Sequence, residues 1–202
     1  MKYVYKEAKD PQKPILLLLH GTGGNEEDLL PLAEMIDRDA GVLSVRGSVL
    51  ENGMPRFFKR LAEGVFDEKD LIERTDELYA FLDHIADEQE FDRNRVIAIG
   101  YSNGANIAGS LLFHHPHSLK AAILHHPMVP RRGITIPNLD STPVFIAAGT
   151  NDPICSPEES KELADLLKGA GSDVTLHWEH RGHQLTLEEV KAAKEWYDHL
   201  NF

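Results

Sequence analysis

Short apolar runs alternate along this chain with longer amphipathic stretches. The apolar runs at Tyr3–Lys6, Ile15–His20, Val42–Arg46, Val96–Gly100, Ala121–Leu124, Val144–Ala148 and Val174–Trp178 predict strands. Most are continuous rather than alternating, as expected of strands whose two faces are both covered by helices. The amphipathic stretches predict helices at Glu26–Asp37, Glu68–Gln89, Asn103–Phe113, Pro157–Lys168 and Leu187–Leu200. In the second of these, Leu71, Leu78, Leu82 and Ile85 recur at helical spacing with acidic residues between them, a core face opposite a solvated one. Strand and helix taking turns predict an α/β fold with a mostly parallel central sheet and helices on both faces.

No repeat, low-complexity tract or linker-like segment interrupts the pattern, so residues 1–202 are expected to form a single domain. The length of 202 residues, 42% of them hydrophobic, suffices for one well-cored domain and is short for two. A formal charge of -12 without a basic stripe opposes a polyphosphate partner, so no nucleic acid is expected. The apolar run from Ile15 to Leu19 is too short for a signal-peptide core or a membrane span, and the single cysteine, Cys155, allows no internal disulfide. A cytoplasmic protein without a membrane span is the resulting expectation.

Candidate chemistry begins where the strand Val96–Gly100 runs into Gly100-Tyr101-Ser102-Asn103-Gly104. A serine lifted out of a sharp strand-to-helix turn needs neighbours without bulk, and the G-x-S-x-G pattern supplies them. A serine hydroxyl also needs a base and a group to orient that base. Asp152, in Gly149-Thr150-Asn151-Asp152-Pro153, follows a strand, and His183, after Gly182, follows the last one. Open α/β sheets gather their sites at the C-terminal edges of the strands. Asp140 and Asp173 belong to the opposite edge, His177 lies inside a strand, and His180 comes early in its loop. The order Ser102, Asp152, His183 is that of an α/β-hydrolase. The turn His20-Gly21-Thr22-Gly23-Gly24 offers an oxyanion site, with the Thr22 and Asn103 N–H groups as candidate donors. The same turn could cradle a phosphate, but it lacks the lysine of a P-loop and the spacing of a dinucleotide fingerprint.

Taken together, Leu19 to Gly24, Gly100 to Gly104, Gly149 to Pro153 and Gly182-His183 resemble the phospholipase/carboxylesterase family of α/β-hydrolases over nearly the whole chain. The likeness is greatest to a small bacterial branch of carboxylesterases, some of which accompany hydroquinone-stress genes. The resemblance implies a serine esterase with Ser102 as nucleophile, His183 as base and Asp152 as its orienter, with no metal or organic cofactor. It also implies a small-molecule ester as substrate and fits a homodimer. Better-studied members carry Gln-Gly after the serine where this chain has Asn103-Gly104, a difference that spares a main-chain donor. Thioester or lysophospholipid hydrolysis would use the same machinery. A non-catalytic hydrolase-fold receptor for a small ligand is the alternative of a different class.

Residues 46–66 read as a long loop in which Phe57 and Phe58 either line an acyl or aryl pocket or anchor the loop to the core. His125 and His126 follow the strand Ala121–Leu124 near the expected site rim and are candidate substrate contacts. The histidines at 114, 115, 117, 125 and 126 lack a cysteine or carboxylate at ligand spacing, so no metal site is expected. Residues 126–142 are too short for a lid domain and predict a minimal cap over an open site.

Overall fold

A computed structural model describes residues 1–200. Seven strands form one sheet: β1 (Tyr3–Lys6), β2 (Ile15–Leu19), β3 (Gly41–Val45), β8 (Val96–Tyr101), β9 (Ala121–His125), β10 (Val144–Gly149) and β11 (Val174–Glu179). Their order is β1-β3-β2-β8-β9-β10-β11, with β1 antiparallel to β3 and every other pairing parallel. After β3 the chain returns to the other side of β2, so the β2/β8 boundary is the point where strand order reverses.

Successive strand residues face opposite sides of the sheet, which divides the core in two. Leu17, Leu19, Leu43, Ala98 and Leu124 pack with α2 (Glu68–Glu88), α3 (Asn103–His114) and α4 (Pro157–Gly169). Leu16, Leu18, Ile97, Ile99 and Ile123 pack with α1 (Leu30–Asp37) and α5 (Leu187–Asp198). Each of the expected strands and helices forms within a few residues of its expected bounds, and this is the anticipated α/β architecture. The largest shift is at α1, expected from Glu26 and observed from Leu30. Glu26 is buried in ion pairs with Lys2 and Arg46, so it serves as a tertiary anchor ahead of the helix.

The segment 46–66 is not one long loop. It contains two hairpins, β4 (Val49–Glu51) with β5 (Met54–Arg56) and β6 (Arg60–Ala62) with β7 (Val65–Phe66). The first turns at Asn52-Gly53, both in the left-handed region (φ 50° and 79°), the signature of a two-residue hairpin turn. Residues 127–143 carry neither helix nor strand, so the cap is minimal. Among the described residues, no helix is long and apolar enough to cross a membrane.

Candidate active site

Ser102 sits between β8 and α3 with φ 52° and ψ -114°, a conformation outside the ordinary basins for a non-glycine residue. Its N–H donates to the His125 carbonyl at 2.9 Å, and its own carbonyl accepts the Asn106 N–H at 2.9 Å, which together hold the elbow. The two flanking glycines are required by contact. A Cβ on Gly104 would lie 1.9 Å from the Leu19 carbonyl oxygen, and one on Gly100 would lie 2.6 Å from the Ala105 backbone. Helix α3 therefore presses against β2 as closely as backbone allows.

The three residues singled out after β8, β10 and β11 meet at this edge. Ser102 Oγ lies 2.8 Å from His183 Nε2, and His183 Nδ1 lies 2.7 Å from Asp152 Oδ2. Asp152 is buried, and its other oxygen accepts the N–H groups of Ile154 at 2.8 Å and Cys155 at 2.9 Å. Burial opposes its charge, but hydrogen bonds from His126, His183 and these two amides hold the carboxyl far below the usual carboxylate range. The Tyr101 hydroxyl donates to the His183 carbonyl at 2.6 Å, so the variable residue inside G-x-S-x-G anchors the histidine loop. The neighbouring Gly182 N–H donates to Asn151 Oδ1 at 2.9 Å.

The turn after β2 is braced by the first hairpin. Gly23 N–H donates to the Pro55 carbonyl at 2.9 Å, and the buried Arg56 guanidinium donates to Thr22 Oγ1 at 2.7 Å. Phe57 N–H donates to Asn103 Oδ1 at 2.7 Å, so one strand end touches both residues named as oxyanion donors. His20 completes the brace: its Nε2 accepts the Gly47 N–H at 3.0 Å while its Nδ1 faces the Gly21 carbonyl at 2.6 Å, a pairing that suits the neutral Nδ1–H ring. Burial lowers its pKa in the same sense.

A cavity of about 330 Å³ opens over Ser102, with Phe66, Met128 and Ile154 supplying apolar walls and Arg60 and Glu63 polar ones. Phe57 and Phe58, the expected pocket aromatics, do not line it. Both are buried in the core, where Phe57 packs on His20 and Phe58 on Phe66, so they anchor the segment. His126 is also not at the rim. It is 1% exposed, with its backbone at φ 54° and its ring against Asp152, and His125 is fully buried. Cys155 is buried with its thiol donating to the Pro127 carbonyl, and burial pushes its pKa up to about 12, so no thiolate competes with Ser102.

Among the described residues, His126, Asp152 and His183 bring possible metal-ligand atoms within 4.8 Å of one another. These atoms are engaged in hydrogen bonds: both imidazoles meet the same carboxylate oxygen, at 2.9 and 2.7 Å. The cluster at 114–117 disperses, with His114 capping back onto the Ser110 carbonyl and His115 paired with Asp76. Three partners of the site escaped the sequence reading: His20, Arg56 and Glu189. Local signals pointed to two of them, the Asn52-Gly53 turn that places Arg56 and the Thr186-x-x-Glu189 capping box that begins α5.

The model of the dienelactone hydrolase family matches residues 3–195. The chain belongs to this family. It is a hydrolase, and its sheet, elbow and cap are those of the α/β-hydrolase fold. It is 60% identical over 197 residues, 98% of each chain, to MhqD of Bacillus subtilis (strain 168), a protein named as a hydrolase. The solved Bacillus cereus carboxylesterase is 69% identical with a TM-score of 0.97, over 98% of this chain and 93% of that one. The structure of YahD with malic acid is 36% identical with a TM-score of 0.94, over 99% of each chain. The likeness to small bacterial carboxylesterases therefore holds.

Proposed function

We propose that this hydrolase is a serine carboxylesterase that acts on small esters through an acyl-enzyme. The observation that carries the reading is the unbroken line from the Ser102 hydroxyl through His183 to Asp152, at 2.8 and 2.7 Å. His183 Nε2 takes the Ser102 proton as Oγ attacks the ester carbonyl, and Asp152 supports the imidazolium that forms. The N–H groups of Thr22 and Asn103 hold the tetrahedral oxyanion, each such donor being worth roughly 10²- to 10³-fold in rate. Collapse expels the alcohol, which takes its proton from His183. Water then attacks the acyl-serine with the same ring as base, returning the carboxylic acid and free Ser102.

The similarity to a named carboxylesterase supports ester over other acyl bonds. The modest cavity, its polar wall of Arg60 and Glu63 and the minimal cap support small or partly protruding esters over long lipids. A panel of p-nitrophenyl esters of increasing acyl length, matched thioesters and a long-acyl lysophospholipid, assayed with wild type and Ser102→Ala, tests this. The highest kcat/KM is expected on the shortest esters and none with Ser102→Ala. A preference for the lysophospholipid refutes the small-ester reading, and absence of turnover on the whole panel favours a ligand receptor.

A further inference from the structure

Asp152 does not end the line. Its Oδ2, the oxygen that meets His183, also lies 2.9 Å from His126 Nδ1, and His126 Nε2 lies 2.9 Å from Glu189 Oε1 and 3.2 Å from the Gln184 carbonyl. His126, Glu189 and Asp152 are all buried. We propose that His126 is an imidazolium clamped between Asp152 and Glu189, and that His126 and Glu189 together position the Asp152 carboxylate under His183. The proposal rests on the hydrolytic reading of Ser102, His183 and Asp152.

Hydrogen-bond accounting sets the protonation state. Every group facing the two ring nitrogens of His126 is an acceptor: a carboxylate at Nδ1, a carboxylate and a carbonyl at Nε2. A neutral imidazole has one N–H, so its bare nitrogen would face an acceptor in a site closed to water. Two N–H groups satisfy all three. Moving the second proton onto Glu189 would not help, because the Gln184 carbonyl would still lack its donor. Glu189 is moreover in the first turn of α5, where exposed amides favour an ionised carboxylate. Its Oε2 accepts the Thr186 N–H at 3.3 Å while Thr186 Oγ1 accepts the Glu189 N–H at 3.2 Å. One side chain thus closes the capping box of the helix and holds the imidazolium.

The remaining groups around His126 are accounted for as well. The His183 and Tyr101 rings stand 5.1 and 6.1 Å away between centroids. His125, its chain neighbour, is buried with its Nδ1 3.6 Å from Glu189 Oε2, and burial lowers its pKa, so it adds no second cation. Asp152 and Glu189 hold His126 at about 9 against the effect of its burial, in agreement with the accounting.

The clamp has two effects on the site. With Ile154 and Cys155 N–H groups on Oδ1 and two imidazoles on Oδ2, the carboxylate of Asp152 is fixed in rotation. The imidazolium also cancels one of the two buried carboxylate charges near His183, which restrains the basicity of that ring. The left-handed backbone at His126 is one that asparagine also adopts, so His126→Asn removes the cation with little backbone cost.

The test combines nitrogen NMR of histidine-labelled wild type with kinetics of Glu189→Gln and His126→Asn on p-nitrophenyl acetate. At about pH 7.5, above the ordinary histidine pKa, His126 is expected to carry protons on both nitrogens. His126→Asn is expected to shift the acid limb of kcat/KM to higher pH, since the positive charge that restrains the basicity of His183 is lost. Both variants are expected to lower kcat about 10- to 100-fold with KM within about twofold, as a misplaced catalytic group does. A singly protonated His126 in active wild type overturns the proposal, as do folded variants with wild-type kcat and an unmoved acid limb. If the variants do not fold, the wild-type spectrum decides. An inactive wild type with a doubly protonated His126 would instead overturn the hydrolytic reading and leave the clamp standing.

Discussion

Asp152→Asn keeps every contact atom in place and changes only which of them donate. Oδ1 of Asp152 receives two main-chain N–H groups, from Ile154 at 2.8 Å and Cys155 at 2.9 Å, which cannot give up their protons as the two imidazoles at Oδ2 can, so the asparagine turns its oxygen toward them. Its NH2 then takes the place of Oδ2, 2.7 Å from His183 Nδ1 and 2.9 Å from His126 Nδ1, and His126 must shed the proton it had directed at the carboxylate. An NH2 is satisfied there only by a bare nitrogen, which forces the His183 proton onto Nε2. That hydrogen points at Ser102 Oγ, 2.8 Å away, and the ring can no longer accept the serine proton. Imposing the wrong tautomer costs about 10⁴ in kcat where it has been done in serine proteases, or about 5 kcal/mol at roughly 1.4 kcal/mol per tenfold. The assay is steady-state hydrolysis of p-nitrophenyl acetate, with a thermal melt to establish that the variant is folded. The expected result is a fall of about 10⁴ in kcat with KM changed less than about threefold. A folded Asp152→Asn enzyme within tenfold of wild-type kcat would refute the reasoning.

Two other perturbations probe the surroundings of the site. Arg56→Met removes hydrogen bonds to Thr22 Oγ1 and the Phe58 carbonyl and a 3.3 Å ion pair to Glu51 from a buried position. A loss of about 2–4 kcal/mol in stability and about 10- to 100-fold in kcat is expected, read by melting and by ester turnover; unchanged kcat would mean that the hairpin does not hold the oxyanion turn. Folding raises the pKa of His126 from 6.5 to about 9, so its stabilisation is whole below the lower value and is lost as pH rises through the upper one. That is worth about 3 kcal/mol, or a melting temperature lower by about 6–12 °C at high pH for a chain of this length. Glu189→Gln should flatten the dependence, and a wild-type melting temperature constant from about pH 6.5 to about 9.5 would contradict the assignment.

The strands and helices that make the scaffold were legible because each buries a face with its own period, and each of the expected elements formed. Ser102, Asp152 and His183 were legible for a related reason: parallel strands deliver their C-terminal ends to one edge, so residues just past those ends must meet. The supports were harder to read. Residues 46–66 carry no long apolar run, although Asn52-Gly53 marked the hairpin that brings Arg56 and Phe57 against the turn after β2. Phe57 and Phe58 carried two readings, pocket wall or core anchor, and once the hairpin folds back both are buried in the core as anchors. The place of His126 depends on its left-handed backbone, which brings the ring from the end of β9 onto the Asp152 carboxylate. No pattern of residue types in the sequence announces such a turn at a histidine.

Ser102 is expected to be the residue acylated during turnover, and a covalent probe that mimics acylation shows whether it is. Wild-type protein treated with a fluorophosphonate, digested and mapped by mass spectrometry should carry one adduct, on Ser102, formed in step with loss of ester hydrolysis. Ser102→Ala should remain unlabelled, and Asp152→Asn should label far more slowly. An adduct on another residue, or ester turnover that survives in Ser102→Ala, would contradict the account.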